Sequence, residues 1–172
     1  VPIHLRRELS SQIASVKKQN LKFSAYAEKS IDQLFSEEIL ANSLVKEITT
    51  FKSIIAYNQG NGNFEIEVLP AEVQFSTVNE IEVIQTGEEK LIILAGNNIN
   101  LKPQFGRMDS NKGIVLSRDK NGKFHIIKSS GLKIQGQVNS LRSITNKNGE
   151  ILIIAGINNA APKIYKFQDE NL

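Results

Sequence analysis

The chain of 172 residues contains no cysteine. That excludes a disulfide-stapled scaffold, a thiolate metal site and a cysteine nucleophile, and it leaves the compartment open. Histidine is scarce: His4 and His125 are the two present and lie far apart in sequence, so no His cluster offers itself to zinc or iron. No apolar run approaches the ~20 residues that cross a bilayer, so no transmembrane segment is expected, and no secretory leader is recognisable. The chain starts at Val1 instead of Met, which reads as a processed product or a piece of something longer. Charge is also nearly balanced, 21 Lys+Arg against 18 Asp+Glu for a net +3. That excess is too small to argue for a nucleic-acid partner. What is present is 40% apolar residues, enough in a chain of this length to bury one ordinary core.

Residues 1–48 read as a helical insert or linker. Leu5, Leu9, Ile13 and Val16 recur every three or four residues and give one apolar stripe. The stripe ends near Lys17-Lys18-Gln19-Asn20, where cations suit the carbonyl end of a helix. A second helix is predicted from about Ala25 to Phe35 with Ser24 as its N-cap. A short third one follows Ser36, with Glu37 and Glu38 in the first turn. These helices read as packing elements without chemistry, and Arg6-Arg7 and Lys17-Lys18 as solvated.

From Thr49 the pattern changes to short β-rich runs between Asn/Gly/Asp/Lys turns. Ser53–Asn58, Phe64–Leu69, Val78–Ile84 and Leu91–Ala95 are predicted strands. Phe64-Glu65-Ile66-Glu67-Val68 alternates apolar and charged residues, as a half-exposed strand does. Leu91-Ile92-Ile93-Leu94-Ala95 is continuously apolar, as a strand buried on both faces is. Asn58-Gln59-Gly60-Asn61-Gly62-Asn63 between the first two runs supplies residues that tolerate positive φ, hence a tight hairpin.

The same unit returns sixty residues later. Asn61-Gly62-Asn63-Phe64 recurs as Asn121-Gly122-Lys123-Phe124, and Leu91-Ile92-Ile93-Leu94-Ala95-Gly96 as Ile151-Leu152-Ile153-Ile154-Ala155-Gly156. Val78-Asn79 matches Val138-Asn139, Ile84 matches Ile144 and Asn98 matches Asn158 in that register, without a gap. Repeats of four short strands with Gly-marked hairpins characterise propeller blades. The expected fold is therefore mainly β with an N-terminal helical segment: two four-stranded propeller blades and a closing strand, part of a larger β-propeller. The divisions are 1–48, a first blade-like repeat with a long connection over 49–112, a second over 113–162, and a closing strand and tail over 163–172. Two blades cannot close a ring. A free-standing sandwich of the same strands is the alternative.

Residues 64–113 resemble the C-terminal blades of bacterial FG-GAP/VCBS repeat proteins, which form integrin-α-like β-propellers. The resemblance is carried by Asn61-Gly62-Asn63-Phe64, Leu69-Pro70-Ala71-Glu72-Val73-Gln74-Phe75-Ser76, Leu94-Ala95-Gly96-Asn97 and Lys102-Pro103-Gln104-Phe105-Gly106-Arg107-Met108-Asp109. The segment through Thr49–Ser53 also looks like the stretch that precedes those blades. Such blades often carry an acidic D-x-D-x-D-G loop that holds Ca²⁺. Here the matching positions, 84–90 and 144–150, lack the acidic comb and include Lys90 and Lys147, so no cofactor is expected in this segment, although absent blades could bind Ca²⁺.

No Ser/His/Asp arrangement or phosphate-cradling glycine loop is recognisable. Asp119-Lys120-Asn121-Gly122 reads as a turn, and Arg107 with Asp109 as a pair that pins its loop. The leading functional reading is a non-catalytic binding or scaffolding module of a cell-envelope, surface or secreted propeller, mediating protein or glycan interactions. Its partners would be the rest of its own propeller or another protein, with membrane association through an absent N-terminal lipid anchor. The second reading is the ring-closing segment of an enzyme whose active site lies in missing blades. Loops on rigid scaffolds commonly carry contacts, so Asn97, Asn98, Lys102, Gln104 and Arg107 are the candidate interaction surface.

Overall fold

The structure, a computed structural model, describes residues 3–87, 89–128 and 130–167. The chain divides between Thr49 and Thr50 into two compact units, a helical one and a β one.

Among the described residues the helical unit holds five short helices instead of the three that the periodicity predicts: α1 (Arg6–Gln12), α2 (Ala14–Gln19), α3 (Phe23–Ala27), α4 (Ile31–Leu34) and α5 (Glu37–Ala41). Ile13 adopts an extended conformation, φ −124°, and splits the first predicted helix. The second starts earlier than expected: Lys22 is the N-cap of α3 and Ser24 lies inside it. Ser36 does sit at the N-cap of α5 with Glu37 and Glu38 behind it, though its hydroxyl makes no capping bond. Helices this short are not stable alone. They are held by Val16, Tyr26 and Leu34, which are buried together with Leu9 and Phe35 against them. Leu5 and Ile13 of the predicted stripe stay largely in solvent, at 53% and 36% exposure. The buried Asn20 ties the unit together. Its Nδ2 donates to the Val16 carbonyl at 2.9 Å, its Oδ1 accepts from Lys29 Nζ at 2.8 Å, and its carbonyl accepts from Arg6 Nε at 2.5 Å. Arg6 also lies 4.8 Å over the Phe23 ring, so it is a packing residue and not a solvated one.

Among the described residues the β unit has nine strands: β1 (Ile54–Gly60), β2 (Asn63–Val68), β3 (Val78–Thr86), β4 (Glu89–Gly96), β5 (Ile114–Arg118), β6 (Phe124–Ile126), β7 (Val138–Thr145), β8 (Ile151–Ile157) and β9 (Lys163–Lys166). They form three antiparallel sheets, β1-β2, β3-β4-β5-β6 and β7-β8-β9. The molecule is thus mainly β, but the four strands predicted for residues 49–112 do not share one sheet. β1 and β2 stand apart, and β3 and β4 join β5 and β6. The chain leaves β2 through a 3₁₀ turn, Ala71–Phe75, whose Val73 is buried. There Gln74 clamps the backbone: Oε1 accepts from the Ser53 N–H at 2.7 Å, and Nε2 donates to the carbonyls of Ser53 and Leu69. The closing strand forms as β9 on β8, while the tail 168–172 lies outside the described residues. The described sheets do not close a ring.

Two cores flank the four-stranded sheet. On one face Leu69, Val73, Leu94 and Leu116 pack with Ile55 of β1, Ile92, Ile114, Phe124 and Ile126. On the other, Ile84, Leu91, Ile93, Ala95 and Val115 meet Val138, Leu141, Ile153 and Ala155 of the three-stranded sheet, joined by Leu132, Ile134 and Phe167. Leu91 to Ala95 therefore do form the two-faced buried strand that their sequence predicts.

Register follows turn chemistry. β1–β2 and β5–β6 pair identically at a spacing of sixty: Asn58 faces Phe64 as Arg118 faces Phe124, and Ala56 faces Ile66 as Leu116 faces Ile126. The β3–β4 and β7–β8 hairpins differ by one residue. Thr86 faces Glu89 across a two-residue loop, whereas the Asn146 N–H bonds the Glu150 carbonyl across a three-residue one. Loop length sets hairpin register, so Ile81 faces Leu94 but Leu141 faces Ala155. The spacing is sixty in β7 and sixty-one in β8. In consequence the ladder counterpart of Asn158 is Asn97, not the sequence-aligned Asn98: Asn97 donates to the Thr77 carbonyl and Asn158 to that of Gln137.

Candidate functional site

The five candidate surface residues lie on the connection from β4 to β5, and the structure separates them. Asn97 is 1% exposed and holds a left-handed φ of 84°. Its Oδ1 accepts from Ser76 Oγ at 2.8 Å and the Asn111 N–H at 2.9 Å. Its Nδ2 donates to the carbonyls of Asn111 at 2.7 Å and Gly136 at 2.9 Å. Every hydrogen-bonding position of the amide is filled by the protein, so Asn97 is a latch inside the fold and not part of an interaction surface. Asn98 is half-buried and bridges Met108 through a reciprocal backbone pair of 2.8 and 2.9 Å. Lys102, Gln104 and Arg107 are exposed around a 3₁₀ turn, Pro103–Phe105, that ends at Gly106 with φ 70°. Arg107 Nε lies 3.4 Å from Asp109 Oδ2, the pair that pins this loop. Phe105 and Met108 add exposed apolar area beside them, as does Phe75, whose carbonyl accepts from Ser110 Oγ at 2.7 Å.

A second cluster, not anticipated from sequence, joins β1–β2 to β5–β6. The Arg118 guanidinium sits between the rings of Tyr57 and Phe124, 5.1 and 4.8 Å from their centroids. It donates to the Tyr57 hydroxyl and lies 3.9 Å from Glu67 Oε2. Tyr57 donates to Glu67 Oε2 at 2.6 Å, and the Phe124 N–H reaches Oε1 at 3.4 Å. The bond to Glu67 pushes the Tyr57 hydroxyl above the ordinary phenol range, so it stays protonated at neutral pH. The cluster borders a wide cleft of about 800 Å³ that also touches Gln59, Glu65, Asn121 and Lys123. Chemically it is an ion pair stacked on aromatics, with the protonated Tyr57 hydroxyl held against the Glu67 carboxylate. Arg118 and Phe124 are legible as a cross-strand pair; their meeting with Tyr57 and Glu67 depends on sheet packing and has no local sequence signal.

Among the described residues no three His, Cys, Asp or Glu side chains converge on one point. Asp119 accepts from the N–H groups of Asn121 and Lys123, and Asn146 makes the same two bonds to Asn148 and Glu150. Asp119-Lys120-Asn121-Gly122 and Asn146-Lys147-Asn148-Gly149 are therefore the same turn, each with glycine at φ 79°. Glu150 bonds Lys166 Nζ at 2.5 Å and Asn146 Nδ2 at 2.7 Å. Those partners hold its carboxyl below the ordinary carboxylate range, Lys166 most of all. Such a donor set does not fit Ca²⁺, which takes six to eight oxygens. Among the described residues, no helix is long and apolar enough to cross a membrane.

The class these features define is a mainly β chain of face-packed antiparallel sheets with a short-helix unit before it. No protein-family model, no curated protein and no solved structure matches the chain.

Proposed function

We propose that the β unit is a run of consecutive sheets from a larger β-propeller, and that the chain is a non-catalytic binding or scaffolding module. The carrying observation is the pair of uncovered outer faces. On β1–β2, Ile54, Phe64 and Ile66 are 37%, 56% and 52% exposed, yet they occupy the ladder positions of Ile114, Phe124 and Ile126, which pack into a core. At the other end Ile144, Leu152 and Ile154 occupy the ladder positions of Ile84, Leu91 and Ile93, which are buried. Ile144 is 48% exposed, and Ile164 of β9, opposite Ile154, is 65% exposed. Apolar residues kept on faces without a cover fit sheets that continue the stack.

The β4–β5 connection, with Asn98, Lys102, Gln104 and Arg107 near exposed Phe105 and Met108, is the proposed contact surface for a protein or glycan. A location in the cell envelope, on the surface or in the secreted fraction is part of this proposal, and what supports it is the resemblance of residues 64–113 to FG-GAP/VCBS blades. Electron microscopy of the protein purified from its source cells tests this reading. A ring-shaped particle is expected, and an open particle with no further sheets overturns it.

A further inference from the structure

This inference rests on the propeller-segment reading and names what covers one particular place. Ile81 and Val83 lie opposite Leu94 and Ile92 in the β3–β4 ladder, so they share the face on which Ile55, Leu69 and Val73 pack. They nevertheless remain 59% and 55% exposed. The next interface along the stack does not stop short in this way. At the same positions of β7, Leu141 is fully buried, and Ser143 donates its N–H and hydroxyl to Glu82 Oε1 at 2.7 and 2.5 Å. There the β3–β4 hairpin provides the cover, with Ile84, Leu91 and Ile93 in the shared core.

The sheet beside Ile81 has no such hairpin. Among the described residues it consists of β1 and β2, which pair in the register of β5 and β6. β5 pairs with β6 on one edge and with β4 on the other; among the described residues β1 pairs with β2 on one edge only. The unpaired edge and the uncovered Ile81 and Val83 call for the same missing element. We propose that the free edge of β1 takes an antiparallel β-hairpin of the β3–β4 kind, supplied by its own propeller. One strand of that hairpin pairs with β1, and its alternating apolar residues cover Ile81 and Val83. This converts the two-stranded sheet into a four-stranded one and extends an interface already present. Edge pairing of this type draws its affinity from main-chain hydrogen bonds and its specificity from alternate side chains.

The test uses the whole 172-residue chain, ¹⁵N-labelled, and an unlabelled synthetic peptide of residues 77–97 as the hairpin probe. Amide shifts are expected along Ile54–Gly60 and at Ile81 and Val83, with slowed hydrogen exchange on β1. The double variant Ile81→Asp, Val83→Asp is expected to keep its Tm, because both side chains are exposed, and to weaken peptide binding at least about tenfold. No response, a response confined to β9 or the outer faces, or undiminished binding by the double variant overturns the proposal. A closed ring in the microscope whose β1 amides exchange freely would end this inference and leave the propeller reading standing. Absence of any ring would end that reading itself.

Discussion

The hairpins β1–β2 and β5–β6 are the same object in two settings. They share register, turn glycine and apolar positions, yet Leu116 is fully buried while the equivalent Ala56 is exposed, and Phe64 lies 56% in solvent while Phe124 packs into a core. Local sequence made the two ladders alike. The neighbouring sheet made their energetics different, because apolar area contributes only when it leaves water. Leu69 and Val73, which follow β2, cover the second hairpin, whereas Ile54, Phe64 and Ile66 on the outer face of the first stay exposed.

Substitutions at paired positions sharpen this contrast. The largest effect is expected at Leu116→Ala, about 2–5 kcal/mol from lost burial and the cavity left behind, whereas Ala56→Leu at the matching position changes stability by less than about 0.5 kcal/mol. Urea unfolding of both variants checks it, and equal costs would break the comparison. Next comes Gly96→Ala. A Cβ there would stand 2.0 Å from the Thr77 carbonyl oxygen, so about 1–3 kcal/mol of overpacking is expected. At Gly156, its match in the sequence repeat but one residue away in the ladder, the nearest atom is the Ser140 Cβ at 3.2 Å, and alanine there is expected to cost less than half as much in the same assay.

The smallest effect concerns the two matching turns. Lys123 closes one, and Glu150, bonded to Lys166, closes the other. Because the folded Glu150 carboxyl titrates below its unfolded range, its stabilisation is present at neutral pH. It is lost as pH falls from the unfolded value of about 4.3 through the lowered folded one. Glu150→Gln should therefore lower Tm slightly at pH 7 and leave it equal to wild type once the pH is below the lowered folded range of the carboxyl. A Tm difference that persists in acid would remove the ion pair as its cause.

Much of this fold is legible in the sequence. The β strands fall where alternation and apolar runs put them, and Asp119-Lys120-Asn121-Gly122 is the turn its composition predicts. The helices were less legible. Their apolar stripe did not reveal the break at Ile13 or the role of Asn20, since helices of four to seven residues take their ends from tertiary partners. The contact surface was legible in part. Lys102, Gln104 and Arg107 are exposed, but Asn97 is interior, because Ser76, Asn111 and Gly136, far away in sequence, converge on its amide.

By itself, then, the sequence determined the strands and the glycine-marked turns, both set by backbone preferences within a few residues. Only tertiary structure decided which hairpins share a sheet and that Arg118 is held between Tyr57 and Phe124. It also decided that Phe64 stays wet while Phe124 packs into a core. Those outcomes depend on which surfaces meet, and burial belongs to a pair of surfaces and never to one strand alone.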